Sequence, residues 1–154
     1  MLDFFVLYLK IKTKYNIGMK KENSCYTYFQ ISGDDFSIEE VSKLLDAAPF
    51  RSWYKTDIRK ADGNEYGFCN WSGFRVDEYC PYTEQQVEKT IGPLLDKIEI
   101  LNDLREKYNL HYSIVVVPQI YVNEINPDLS PSLKVIDFCH AVRAEFSIDL
   151  YLYK

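Results

Sequence analysis

Few side chains in this sequence of 154 residues could carry out acid–base or nucleophilic chemistry. Only two histidines occur, His111 and His140, and no Gly-x-Ser-x-Gly segment places a serine nucleophile. A cysteine–histidine pair would need Cys69 or Cys80 to approach His111 in space, which spacing along the chain does not determine. The simpler interpretation is that His111 begins a strand and that His140 lies on a helix as a hydrogen-bonded polar residue. We therefore predict no catalytic residues and favour a non-enzymatic role.

The sequence does not indicate a metal or cofactor site either. The four cysteines lack the Cys-x-x-Cys spacing of zinc and redox sites, so we interpret them as reduced, mostly buried thiols. The neighbours Cys139 and His140 would not face each other on a helix. No run of carboxylates has the spacing of a calcium loop, and no glycine-rich phosphate-binding motif is present. We predict no metal and no cofactor.

Two carboxylates share one face of the last predicted strand. Glu145 and Asp149 point to the same side as Tyr151, because side chains alternate along a strand. Paired carboxylates could act in acid–base chemistry. The regular alternation of this strand favours a solvated sheet face instead.

A cluster of aromatic and charged residues lies on two neighbouring predicted strands and is our candidate binding site. Tryptophan and arginine are the residues most enriched at binding hot spots, and the two strands form a hairpin. If the registers match, the tryptophans and arginines would meet on one face. The alternative is that both tryptophans are core residues beneath the helices, with basic side chains at their edges. The candidate residues are Arg51, Trp53, Lys55, Asp57, Trp71 and Arg75.

The elements that must position these residues follow from hydrophobic periodicity. Ser37 and Glu40 form a capping box before an apolar helical stripe that Pro49 ends, and Thr83 and Gln86 form a second one. Gly92-Pro93 interrupts the long helix that follows. The order is β-α-β-β-α-β-α-β, which predicts an α+β domain with a largely antiparallel sheet and helices on one face, and permits a ferredoxin-like core. The predicted strands are 25–32, 50–58, 66–74, 111–122 and 145–153.

The first 18 residues differ from the rest of the chain. Met19 reads like a natural start directly before the first clear strand, so we predict an N-terminal extension, residues 1–18, outside a single domain of residues 19–154. The rival interpretation is a short added strand, because Phe4–Leu9 has high β-propensity.

The composition and charge of the chain argue against several classes of protein. The net charge of −5 repels phosphate backbones and argues against nucleic-acid binding. The longest apolar run is far shorter than the roughly 20 residues that span a bilayer. Lysines follow the N-terminal apolar stretch instead of preceding it, which is unlike a signal peptide. We expect a cytoplasmic protein without a membrane anchor.

The chain resembles an uncharacterised bacterial family, domain of unknown function 4279, over residues 25–151. The landmarks are caps, core positions and strand patterns whose order and spacing carry the resemblance. In that family a Lys-Gly-acid triplet tends to follow the proline, and here the matching stretch is Lys55-Thr56-Asp57. The resemblance implies a fold but no activity. Its landmarks are Gly33, Phe36–Val41, Leu44-Leu45, Pro49, Trp71-Ser72, Leu94-Leu95, Leu101, Leu129-Ser130 and Phe146–Tyr151.

Two functions fit these observations. The first is a small interaction module, such as a toxin-neutralising immunity protein, that binds one protein partner through a sheet face or the Trp53/Trp71 hairpin. Acidic charge would suit a basic partner. The second is a small-molecule binder, or an enzyme, with a pocket between sheet and helices edged by Arg51, Arg75 and Asp57.

Overall fold

A computed structural model describes residues 6–14, 22–79, 81–121 and 124–153. The chain is α+β, as predicted, with a six-stranded sheet and four α-helices. The strands are β1 (Leu7–Lys14), β2 (Ser24–Gly33), β3 (Arg51–Trp53), β4 (Cys69–Val76), β5 (His111–Tyr121) and β6 (Ala144–Tyr153). The helices are α1 (Ile38–Leu45), α2 (Thr83–Ile91), α3 (Ile98–Tyr108) and α4 (Leu133–Val142), with a 3₁₀ turn at Gly92–Leu94.

The sheet is mixed, so the prediction of a largely antiparallel sheet is wrong. Its order is β1-β6-β5-β2-β4-β3. Strand β2 runs antiparallel to both neighbours and β3 antiparallel to β4, whereas β5, β6 and β1 are mutually parallel. The reason is α4, because a helix that joins two adjacent strands of one sheet brings the chain back to the same end and makes them parallel. The ferredoxin-like core is not confirmed.

Strand β1 lies at one edge of the sheet and belongs to the segment that we predict to be an extension. It pairs in parallel with β6, from Leu7 opposite Phe146 to Lys14 opposite Tyr153. The Lys12 ammonium lies 2.9 Å from the Asp149 carboxylate, which ties the first strand to the last. Residues 1–5 and 15–21 lie outside the described residues, and the division into 1–18 and 19–154 stays a prediction.

The core lies between one face of the sheet and the four helices. Phe29 of β2 contacts Phe138 of α4, with ring centroids 6.2 Å apart. The Tyr112 hydroxyl on β5 donates to the Leu101 carbonyl of α3 at 2.6 Å, and the Trp71 indole on β4 donates to Ser42 of α1 at 2.9 Å. The Thr27 hydroxyl of β2 also lies 2.7 Å from that of Thr90 on α2, so all four described helices are on the same side. We call the other side of the sheet the open face.

The predicted capping boxes form only in part. The Ser37 hydroxyl accepts from the Glu40 backbone N–H at 3.1 Å, as expected. The Glu40 carboxylate does not reach back but accepts from Lys107 at 2.7 Å and from the Tyr108 hydroxyl, which joins α1 to α3. Hydrogen bonds from these two side chains hold the pKa of Glu40 below its usual value. Thr83 begins α2 without capping it, since its hydroxyl donates to the Asp128 carbonyl at 2.6 Å.

The predicted burial of the thiols can be tested by their chemical reactivity. Cys25, Cys69 and Cys139 are buried, and Cys80 lies outside the described residues. Burial raises the pKa of the Cys139 thiol to about 12. Because the thiolate is the nucleophile, we expect iodoacetamide at pH 8 to leave Cys139 unmodified in the folded protein and to alkylate it in denaturant, as read by peptide mass spectrometry. Rapid alkylation of Cys139 in the folded chain would contradict its burial.

Candidate functional site

A β-bulge in β4 determines which side chains reach the open face. The pairing of β2 with β4 shifts between Thr27 and Phe29, and Phe74 has a φ of 54°, in the left-handed region. A bulge inserts one extra residue and changes which side of the sheet the following side chains occupy. Phe74 therefore packs toward the helices, 5.8 Å from Trp71 between ring centroids. Arg75 turns instead to the open face, 4.0 Å above the ring of Tyr26.

Gln86 of α2 holds this bulge from beneath. Its side-chain amide is buried and donates at 2.8 Å to the carbonyl of Cys25 on β2 and at 2.8 Å to the carbonyl of Val76 on β4. The residue predicted to close a capping box thus bridges two strands at the point where their ladder is interrupted. Buried backbone carbonyls need such partners because an unpaired one costs free energy. Gln86 is therefore a positioning residue for Arg75.

Two arginines and three aromatic rings meet on the open face, and we call this group the arginine–aromatic cluster. The Arg51 guanidinium lies 5.6 Å from the Tyr28 ring centroid and 5.8 Å from that of Phe50. The Arg75 guanidinium lies 5.4 Å from the Phe50 ring centroid. Phe50 packs edge-on against Tyr28 at 5.3 Å. The cluster residues are Tyr26, Tyr28, Phe50, Arg51 and Arg75.

The two guanidinium groups differ in their charge environment. Arg75 donates to both carboxylate oxygens of Asp77, at 2.7 to 3.0 Å, and these bonds hold the pKa of Asp77 below its usual value. Arg51 donates to the Tyr28 hydroxyl at 3.2 Å. Within the described part of the chain it has no carboxylate partner. Arg51 is thus an exposed cation on an aromatic support, and its charge is not neutralised.

The prediction that both tryptophans share a face with the arginines is wrong. Ser52 pairs with Trp71, and Trp53 pairs with Asn70, so the two indoles lie on opposite sides of the sheet. Trp71 is fully buried beneath α1. Trp53 lies near the arginine–aromatic cluster, with its ring 5.5 Å from the Arg51 guanidinium and stacked on Tyr66 at 4.4 Å. The alternative interpretation, in which the tryptophans are core residues, therefore applies to Trp71.

Lys55 and Asp57 do not lie on a strand, because β3 ends at Trp53. The Asp57 carboxylate accepts from the Tyr54 backbone N–H at 2.7 Å and organises the turn that follows. Lys55 forms an exposed ion pair with Asp34 at 3.4 Å. Neither side chain joins the arginine–aromatic cluster. Arg51 and Arg75, expected at the edge of a pocket between sheet and helices, lie on the open face instead, and such a pocket stays a prediction.

A groove of about 320 Å³ lies beside the cluster on the open face, and we call it the sheet groove. It crosses four strands and shares Tyr28 with the arginine–aromatic cluster. The two carboxylates of the last strand, predicted to face solvent, lie at its edge. The lining residues are Tyr8, Lys10, Tyr28, Gln30, Ser113, Val115, Glu145, Ser147 and Asp149.

One protein family matches most of this chain. The profile of a family described as domain of unknown function (DUF4279) matches residues 23–153. The chain belongs to this family. No curated protein and no solved structure matches it. The DUF4279 match contains β2 to β6 and all four helices, so β1 is the one described strand outside it.

The described residues of this DUF4279 protein also limit the chemistry. They contain no group of three or more histidine, cysteine, aspartate or glutamate side chains that could hold a metal ion. Among the helices that the structure describes, none is long and apolar enough to cross a membrane. Two features of the open face could recognise another molecule, the arginine–aromatic cluster and the sheet groove.

Proposed function

We propose that this DUF4279 protein is an interaction module that binds one protein partner through its open face, with the arginine–aromatic cluster as the anchor. The observation that carries the proposal is Arg51. Its guanidinium lies over the rings of Tyr28, Phe50 and Trp53 at 5.5 to 5.8 Å, without a carboxylate partner among the described residues. Arginine held on aromatic rings is already ordered, so little side-chain entropy is lost when a partner binds it.

The composition of the cluster matches the residues that dominate protein interfaces. Tyrosine, tryptophan and arginine are enriched at hot spots, whereas lysine and aspartate are depleted in interface centres. A carboxylate or backbone carbonyl of the partner would accept from Arg51, and apolar side chains would cover Phe50. The net charge of −5 would steer a basic partner toward the protein. A bacterial immunity protein acting in the cytoplasm is one role of this kind.

A pull-down with the full chain tests the proposal. We expect one stoichiometric partner in a lysate of the native cell, with capture reduced at least about tenfold by Arg51→Ala or Trp53→Ala, the scale of a hot-spot residue. Lys60→Ala is the matched control, because Lys60 is exposed in the loop after β3. Capture that is unchanged by both Arg51→Ala and Trp53→Ala, or no partner at all, would contradict the proposal. Trp71→Ala is unsuitable as a surface test because Trp71 is a core residue.

A second candidate function, binding of a small molecule, is favoured by the sheet groove. Its volume of about 320 Å³ is within the range of small-ligand sites. It lies on the open face, and not between the sheet and the helices where the sequence suggested a pocket.

The ferredoxin-like core also belongs among the proposals. Strands β5-β2-β4-β3 are consecutive in the sheet, and each runs antiparallel to its neighbour. This order supports a split β-α-β arrangement to which α4, β6 and β1 are added at the β5 edge.

A further inference from the structure

The sheet groove has a small-residue floor between two aromatic walls. Its floor consists of Ser113 and Val115 of β5 and Ser147 of β6. Cross-strand pairing aligns Tyr8, Ser147, Val115 and Tyr28 in one row across four strands. The two tyrosines therefore stand on opposite sides of the floor. Such walls suit a flat or extended ligand whose body lies between the rings.

One end of the groove carries an acid. Glu145 pairs across the strands with Ser113, which pairs with Gln30. Its carboxylate is half-buried and has no ion pair or hydrogen bond among the residues that the structure describes. Ser113 and Gln30 thus place hydroxyl and amide groups beside this carboxylate on the groove side, which suits an ammonium group, while Arg105 and Arg143 line a neighbouring recess with it without forming an ion pair.

The other end carries a base. Lys10 pairs with Asp149 in the register of β1 and β6. Asp149 already accepts from Lys12 at 2.9 Å. The Lys10 ammonium has no ion pair within the described ranges. The groove is therefore bounded by a carboxylate at Glu145 and an ammonium at Lys10 that form no ion pairs with other described residues, and by Asp149, which is paired with Lys12.

The spacing of these charges sets the length of a matching ligand. Asp149, opposite Lys10, follows Glu145 by four residues, which is about 13 Å along a strand. Side chains stand roughly perpendicular to a sheet, so this distance applies to the charged ends as well. Two charged hydrogen bonds of about 3 Å each leave about 7 Å between the charges of the ligand. An extended dipeptide has its ammonium and carboxylate at this separation.

We propose that the sheet groove binds a dipeptide as its zwitterion, with the ammonium group at Glu145, the carboxylate at Lys10 and the side chains between Tyr8 and Tyr28. The site goes beyond the proposed protein interaction and does not depend on Arg51. Two of its residues come from β1, which lies before residues 23–153 that match DUF4279. The site is therefore a property of this chain, and the matched domain alone would have only part of it.

Calorimetric titration of the full chain with alanylalanine tests the site. We expect binding that weakens at least about tenfold when the amine is acetylated or the carboxylate is amidated, because each change removes one charged hydrogen bond. Glu145→Gln and Lys10→Gln should each weaken alanylalanine binding about tenfold. Lys14→Gln, on the same face of β1 but outside the groove, and Glu106→Gln on α3 are the controls and should leave binding unchanged.

Nuclear magnetic resonance locates the bound dipeptide. We expect the backbone amide signals of Ser113 and Ser147 to shift on titration, and the same signals to shift much less with an equal concentration of the acetylated probe. The proposal is overturned if alanylalanine does not bind at up to about 10 mM, if the blocked probes bind equally well, or if the groove variants behave as the controls do. None of these outcomes depends on Arg51, so the pull-down tests the proposed protein partner separately.

Discussion

Replacing Gln86 by leucine should lower the free energy of unfolding by about 3 kcal/mol, since each buried acceptor left unpaired costs about 1–3 kcal/mol. The two acceptors are the carbonyls of Cys25 and Val76, which the Gln86 amide bridges at 2.8 Å each. Leucine has a similar size but no hydrogen-bond donor. The loss in free energy of unfolding therefore measures the missing hydrogen bonds more than the effect of a cavity. Urea unfolding followed by circular dichroism measures the change.

Glu84→Gln is the control for this substitution. Glu84 lies on the same helix but is exposed, and surface changes of this kind stay within about 0.5 kcal/mol. We also expect Gln86→Leu to disturb the bulge that turns Arg75 to the open face, which weakens partner capture at a temperature where the variant remains folded. A cost below about 1 kcal/mol for Gln86→Leu would show that water or a shifted backbone satisfies both carbonyls.

Gly73→Ala should destabilise the protein by about 2–3 kcal/mol, the scale of overpacking in a core. A Cβ at residue 73 would lie 2.2 Å from Cη2 of Trp71 and less than 3 Å from two further atoms of the same six-membered ring. The indole lies flat over the glycine because Trp71 is fully buried and its N–H is fixed by Ser42. Neither the strand nor the ring can move away easily.

A double-mutant cycle separates this clash from a general intolerance of alanine. Trp71→Phe removes the three ring atoms that the new Cβ would meet. We expect Gly73→Ala to cost at least about 1 kcal/mol less in the Trp71→Phe protein than in the wild type, as contacting residues couple by about 0.5–3 kcal/mol. Chemical denaturation of the four proteins gives the coupling. Strict additivity would mean that the close approach of Trp71 to Gly73 is not what requires glycine.

The sequence predicted the elements that depend on local patterns. Helix α1 begins after Ser37 as its cap predicts, and the break at Gly92-Pro93 separates α2 from α3 because proline cannot continue a helix. The alternation of β6 correctly placed Glu145, Asp149 and Tyr151 on one face of the strand. Membership of DUF4279 was also predicted and is confirmed. The helix and strand signals each lie within about ten neighbouring residues, whereas the family resemblance extends over most of the chain.

The candidate site depended on pairing between distant residues and was predicted only in part. Arg51, Trp53 and Arg75 lie on the open face, but Trp71 does not, because the register of β3 against β4 places it opposite Ser52. The bulge that turns Arg75 outward occurs at Phe74, a residue type that gives no sign of a left-handed conformation. Local sequence therefore could not have located it.

The sequence carries a signal for the position of two aromatic residues of the cluster. Tyr26 and Tyr28 alternate with the core residues of β2, which placed them on the far side of the sheet. What sequence could not show was that Phe50 and Arg51 from β3 lie above them, since β2 and β3 are separated in the sheet by β4. Sheet order is a tertiary property that no local pattern encodes.

The pairing of β1 with β6 has a consequence for the order in which the protein acquires its structure. Leu7 meets Phe146 and Lys14 meets Tyr153, so every contact of this pair spans about 139 residues of chain. A ribosome delivers β1 well before β6, its pairing partner, because the other described strands and helices lie between them. Until then Leu7, Leu9 and Ile11 have no strand beside them, which is when chaperone binding or aggregation competes with folding. The Tyr8 wall of the sheet groove is thus built last.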